Sequence, residues 1–282
     1  MLRPFANWLK NRLELPEVRG VEHDSPELVQ IHRRLIERKP FLKNLYREHY
    51  REFARYLQGI PDGVLLELGS GGGFLKEVLP EVVTTDLHPE PHLDRTMSAD
   101  RLELPDDSVA AILMLNVFHH LPDPAAFLRE ASRVLKLGGR VVLVEPAHTM
   151  LWKRLYPLFS PEPYDETTPN WGFPPAGRFS GANVPQAWIV FERDRTLFER
   201  EFPELSLRCL RYHTAFLYVL SGGIWFRGLV PSWTFPFLLR LERLLQPAMR
   251  LIGCQVTVVL QKTVGRPTLR RIVPARSRST MS

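Results

Sequence analysis

Cysteine is scarce in this chain: Cys209 and Cys254 are the only two in 282 residues. They lie too far apart for a redox pair or a zinc knuckle, so a reducing compartment is expected, with both packed as small hydrophobes. Long apolar runs are missing too. None reaches the ~18 residues of a membrane span, and the opening MLRPFANWLKNRLELPE breaks into charge too early for a secretory leader. Acids are absent from the end of the chain, where Lys262, Arg266, Arg270, Arg271, Arg276 and Arg278 stand unopposed. Of 37 basic residues, 31 remain outside that tail, against 31 acidic ones. The net charge of +6 therefore belongs to the tail, and a neutral body argues against nucleic-acid binding. A cytoplasmic protein is expected, with a peripheral place on the inner face of a membrane as a further expectation.

What is present has a clear rhythm. Residues 1–60 are expected to form an N-terminal helical cap. Asp24-Ser25-Pro26-Glu27 is a helix start, and Leu42, Leu45, Tyr46, Tyr50, Phe53 and Leu57 recur at helical spacing. Strands and helices alternate after Gly63: VLLEL (64–68), helical FLKEVLP (74–80), EVVTTD (81–86), VAAILMLN (109–116), a helix capped by Asp123-Pro124 and ended by Gly138-Gly139, then RVVLVEP (140–146). Short buried strands alternating with helices predict an α/β fold, a Rossmann-like, doubly wound, mostly parallel sheet. One domain is expected over 61–264. Within it, a proline- and aromatic-rich lid region spans 151–204, and an apolar helical insert (214–252) precedes the last strand. Residues 265–282, a basic tail rich in Arg, Ser, Thr and Pro, are expected to be disordered.

The glycine loop of VLLELGSGGGFLKE carries the chemistry. A triphosphate loop would end in Gly-Lys-Ser/Thr, but Gly73 is followed by Phe74-Leu75. A dinucleotide fingerprint would place a third glycine at Phe74. Glu67 argues by sign: a carboxylate ahead of the loop repels a pyrophosphate and welcomes an ammonium group. Asp86 ends the next strand, where an acid can accept from both hydroxyls of a ribose. Asp100 lies in the following loop and Asn116 at the end of the strand after it, all at the carboxyl edge of a parallel sheet.

This set resembles the class I S-adenosylmethionine-dependent methyltransferases, in particular the branch called methyltransferase type 11. The resemblance lies in VLLELGSGGGFLKE, VVTTD, SADRLELPDDSVAAILMLNVFHHLPDP and FLREASRVLKLGGRVVLVEP, over about residues 60–150. It implies S-adenosylmethionine as cofactor, with Glu67 on its amino group, Asp86 on the ribose and Asp100 on the adenine amine. Gly69, Ser70, Gly71, Gly73, Leu87, Arg101 and Asn116 complete the expected cofactor site. Ser70, Gly72 and Leu137 depart mildly from the family pattern.

No unique base stands out. His119, His120, Glu145, His148 and His213 are the candidates. Adjacent histidines project in different directions and make a poor metal pair, so no metal is expected. The expected activity is methyl transfer to a small-molecule or lipid-like acceptor; the alternative is a non-catalytic S-adenosylmethionine-binding scaffold or membrane-surface adaptor. A nicotinamide oxidoreductase is disfavoured by Glu67 and Phe74. Residues 214–252 mix Trp225, Phe226, Trp233, Phe235 and Phe237 with Arg227, Arg240, Arg243 and Arg250. With the basic tail, they suggest peripheral membrane contact, although a helical cap on the fold is the plainer expectation.

Overall fold

The computed structural model describes residues 8–264, apart from 9, 161, 178 and 180. The basic tail, 265–282, lies outside the described residues. The strands are β1 Val64–Leu68, β2 Val83–Asp86, β3 Arg95–Thr96, β4 Val109–Leu115, β5 Leu135–Pro146, β6 Leu205–His213 and β7 Gln255–Lys262. They make one sheet in the order β3-β2-β1-β4-β5-β7-β6. Strands β1 to β5 pair in parallel, while β7 runs antiparallel to both its neighbours, β5 and β6. The Rossmann-like sheet expected from the strand–helix alternation is what forms.

Both faces of the sheet are dry, which is why its strands read as continuous apolar runs. Side chains alternate along β4: Ile112 and Met114 enter one core, Ala111 and Leu113 the other. The principal helices are α1 Glu27–Arg38, α2 Pro40–Tyr56, α3 Pro124–Val134, α4 Trp152–Phe159, α5 Arg195–Glu201 and α6 Phe235–Leu244. The first core takes Phe127 and Leu128 from α3 and Phe198 from α5. The second takes Leu42, Tyr50 and Phe53 from α2. Asp123 caps α3 as expected, accepting from the Ala126 amide.

Two local expectations are corrected, and one strand is added. FLKEVLP is not a helix but a single 3-10 turn, Leu75–Glu77. Pro80 leaves too few residues for a helix to propagate, and α2 covers that stretch of sheet instead. Gly138-Gly139 does not end α3, which stops at Val134 because Leu135 already pairs beside Val109. The two-residue β3 was not anticipated; both its residues are exposed and give no pattern.

Between β6 and β7 the chain forms a short helix, Leu217–Ser221, then α6 and a last turn, Met249–Ile252. The buried Glu242 of α6 accepts from the amides of Ala215, Phe216 and Leu217, each at 2.8 Å, and so ties α6 to that short helix. Lys39, between α1 and α2, donates to the carbonyls of Gly223 and, at 2.7 Å, Phe226. Burial drops its pKa to about 8.

Because α2 supplies a whole layer of the core, Phe53→Ala should lower the unfolding free energy by about 3–5 kcal/mol in a urea titration. A loss below about 1 kcal/mol would mean that α2 does not cover the sheet.

Candidate active site

The glycine loop leaves β1 through Gly69, whose φ is +68°. A Cβ there would lie 2.5 Å from Val117 Cγ2, so only glycine lets this loop meet the turn after β4. At Gly72 a Cβ would lie 2.7 Å from the Arg33 amide, so α1 presses on the loop from outside. The loop is bonded on several sides. The Gly71 amide donates to Asp86 Oδ2 at 3.0 Å, and His92 Nε2 donates to the Gly71 carbonyl at 2.8 Å. Arg33 Nη1 donates to the Gly73 carbonyl at 2.8 Å, and the Phe74 amide to the Tyr50 hydroxyl at 3.2 Å.

Glu67 is buried at the base of this loop, its carboxylate accepting from Ser70 Oγ at 2.6 Å. Burial, opposed by that hydrogen bond and helped by the nearby Asp86, pushes its pKa up to about 7. A desolvated acid with a single neutral donor favours a cationic ligand, the opposite of what a phosphate loop offers.

A cavity of about 340 Å³ opens from the loop. Of the residues expected at the cofactor, Glu67, Gly69, Ser70, Gly71, Gly73 and Asn116 line it. Asn116 has φ +55° and its amide bonds the Val144 carbonyl at 2.8 Å, which fixes the turn after β4. Asp86, Leu87, Asp100 and Arg101 do not line the cavity. Asp86 is buried and bonded to the loop at the Gly71 amide, Leu87 and Arg101 are exposed, and Asp100 faces solvent with Ser98 Oγ as its donor.

The opposite wall comes from places the motifs do not mark. Tyr46 and Tyr50 of α2, Trp152 and Tyr156 of α4, and Tyr218 and Trp225 of the segment after β6 bring rings to it. The segment before α1 joins them: Leu15 donates its amide to the Trp225 carbonyl at 2.9 Å, and Arg227 donates to the Leu13 carbonyl at 2.8 Å. No local signal announces these contacts, because segments far apart in sequence create them.

His119 and His120 correct the expectation that adjacent histidines diverge. They sit in a tight 3-10 turn, Phe118–His120, and both rings face the cavity with centroids 4.1 Å apart. Glu145, fully buried at the end of β5, holds that turn. It accepts from the amides of Val117 and Phe118 at 2.8 Å, the His119 amide at 3.3 Å and His119 Nδ1 at 2.6 Å. With its oxygens spent this way, Glu145 positions rather than reacts. Burial disfavours charge on His119, but Glu145 outweighs it and raises the pKa; burial, with His119 alongside, lowers that of His120 to about 4. Glu162, which sequence reasoning missed, lies 3.8 Å from His119 Nε2 and 4.0 Å from His120 Nε2.

The other two histidine candidates lie off this cavity's wall. His148 bonds Tyr164 at 2.9 Å and Glu166 at 3.0 Å and stacks on Trp188. His213 is fully engaged by the hydroxyls of Thr214 and Thr257 in a separate small pocket shared with His49. Burial holds its pKa well below the ordinary value.

With this geometry in place, comparison with known proteins is direct. Residues 66–143 match a family model described as a methyltransferase domain. A ubiquinone biosynthesis O-methyltransferase of Paramagnetospirillum magneticum is 28% identical over 127 residues, which are 39% of this chain and 51% of that protein. The spinach 2-methyl-6-phytyl-1,4-hydroquinone methyltransferase is 31% identical over 108 residues, 32% of this chain and 31% of the relative. The chain thus spans about half or less of the length of these curated relatives. Among solved structures, a possible histamine N-methyltransferase of Thermotoga maritima superposes with a TM-score of 0.47 at 17% identity, covering 83% of this chain and 99% of that one.

The raised pKa of Glu67 has a testable sign. Its contribution to stability is fully present below the ordinary carboxylate range and is lost as pH rises through about 7. Glu67→Gln should therefore stabilise the ligand-free protein at pH 8 but not at pH 4, by up to about 3 kcal/mol, in thermal or urea unfolding. An equal effect at both pH values would refute a shifted carboxyl.

Proposed function

We propose that this chain, whose residues 66–143 match a methyltransferase domain, is a class I S-adenosylmethionine-dependent methyltransferase that transfers the cofactor's methyl to a small acceptor with a largely apolar, lipid-like body, taken up at a membrane surface. One observation carries the reading: the glycine loop with its buried acid opens straight into a cavity walled by aromatic rings from α2, α4 and the segment after β6. Glu67 and Ser70 receive the cofactor's amino-acid end. Asp86 takes the ribose hydroxyls, and the exposed edge at Asp100 and Arg101 receives the adenine.

The methyl on a sulfonium is already activated, so the protein's task is to place the acceptor in line behind it and exclude water. The aromatic walls suit an apolar acceptor. The named relatives, one in ubiquinone biosynthesis and one acting on a phytyl hydroquinone, support this choice. A hydroxyl acceptor loses its proton beside the cluster of His119, His120 and Glu162.

The membrane part of the reading rests on α6. This helix turns Phe235 and Glu242 inward. Its outer side carries Phe237, Leu241 and Leu244, exposed and at helical spacing, with Arg240 among them and Trp233 just before. An apolar outer stripe studded with basic residues suits an interfacial helix. No helix among the described residues is long and apolar enough to cross a membrane.

Calorimetry with S-adenosylhomocysteine should give one site per chain, weakened by about tenfold or more in Asp86→Ala. No binding would overturn the proposal. Labelled methyl incubated with a fractionated cell extract should enter the lipid fraction; tight cofactor binding with transfer into no fraction would indicate a scaffold instead. Phe237→Glu combined with Leu244→Glu should abolish co-flotation with phosphatidylglycerol-containing vesicles while leaving cofactor affinity unchanged. Undiminished flotation would remove α6 from the membrane contact.

A further inference from the structure

The two neighbouring imidazoles and Glu162 are arranged in a way that catalysis by proton transfer alone does not require. Each ring has its Nδ1 already committed: His119 donates to Glu145 at 2.6 Å, and His120 donates to the Gly181 carbonyl at 3.0 Å. This fixes both tautomers with the Nε2 lone pair available, the state in which histidine ligates a metal. Both Nε2 atoms lie near the same carboxylate, at 3.8 and 4.0 Å. That is beyond hydrogen-bonding reach. A tetrahedral ion with bonds of about 2.1 Å holds its ligand atoms about 3.4 Å apart, so the three groups need only small side-chain rotations to close on one. One ligand atom from each of the three residues falls within 4.8 Å of the other two. Glu162 is itself oriented, since the Tyr156 hydroxyl donates to its Oε2. The turn is braced as well, the Asn183 amide bonding the His119 carbonyl at 2.8 Å.

We infer that His119, His120 and Glu162 bind one divalent first-row transition ion, with its remaining coordination positions open to the cavity. Two imidazoles and one carboxylate match the donor set of catalytic zinc and related sites, whereas magnesium and calcium prefer all-oxygen sets. Glu145 and the Gly181 carbonyl are the outer acceptors that aim the rings, as metal-bound histidines require. Tyr156 does the same for the carboxylate.

The purpose of such an ion, unlike its binding, rests on the methyltransferase reading. An acceptor hydroxyl coordinated in an open position gives its proton to water at lower pH than it would free in solution. The resulting oxyanion forms its bond to the methyl carbon as the sulfur–carbon bond breaks. The electron pair of that bond stays on sulfur, giving neutral S-adenosylhomocysteine and a methyl ether.

The test uses the full chain, freed of metal by chelator and dialysis, and titrated with cobalt(II) followed by its visible d–d absorption. Zinc(II) is titrated in parallel by calorimetry. One ion per chain is expected, displaced by zinc. Glu162→Gln and His120→Asn should each weaken it by about tenfold or more, with the metal-free melting temperature unchanged. Absence of a stoichiometric site, or a site indifferent to both substitutions, would overturn the inference. Cofactor binding is measured separately: cobalt bound without S-adenosylhomocysteine leaves the metal site standing and removes the methyltransferase reading, and the converse removes only the metal.

Discussion

A fully buried carboxylate at the end of β5 organises the working edge of this sheet. Glu145 collects three backbone amides and one imidazole, and through them sets the turn that follows β4. That turn brings Val117 against Gly69, where no side chain would fit. It also brings His119 and His120 to the cavity. An acid with no exposure is tolerable because its acceptor capacity is filled by charge-assisted bonds. Removing it would leave orphaned amides on one side and a misdirected ring on the other.

The cavity joins two kinds of structure. Its floor is the carboxyl edge of the parallel strands, where loops converge on a ligand in α/β sheets generally. Its roof is assembled from α2, α4 and the segment after β6, clasped by Lys39 and by the backbone bonds of Leu15 and Arg227. Floor and roof divide the chemistry: the floor has the polar groups suited to a charged cofactor, and the roof has the rings.

The floor was legible in the sequence because its signals are local. Buried strands show as apolar runs broken by turns, and the glycines and Glu67 stand together in one short motif. Helix α2 was legible from its spacing, yet its role was not: nothing in FLKEVLP announces that a distant helix will do that segment's covering. The convergence of His119 and His120 was misjudged because it is set by partners distant in sequence: Glu145 and the Gly181 carbonyl draw the two rings to one side. Glu162 was invisible for another reason. It sits in an irregular proline-rich stretch and gains meaning only when Tyr156 and the two rings arrive from elsewhere.

The position of β7 has a consequence for how the molecule is made. Among the described residues this strand follows all the others, yet it lies between β5 and β6. During synthesis, β5 has to wait more than a hundred residues, from Pro146 to Gln255, with one edge of a finished parallel layer unpaired. An open apolar edge recruits whatever strand is nearest, including the same edge on a neighbouring nascent chain. Slow, late closure of that gap makes the interval before β7 docks, rather than the folding of the early strands, the period of greatest exposure to misassembly.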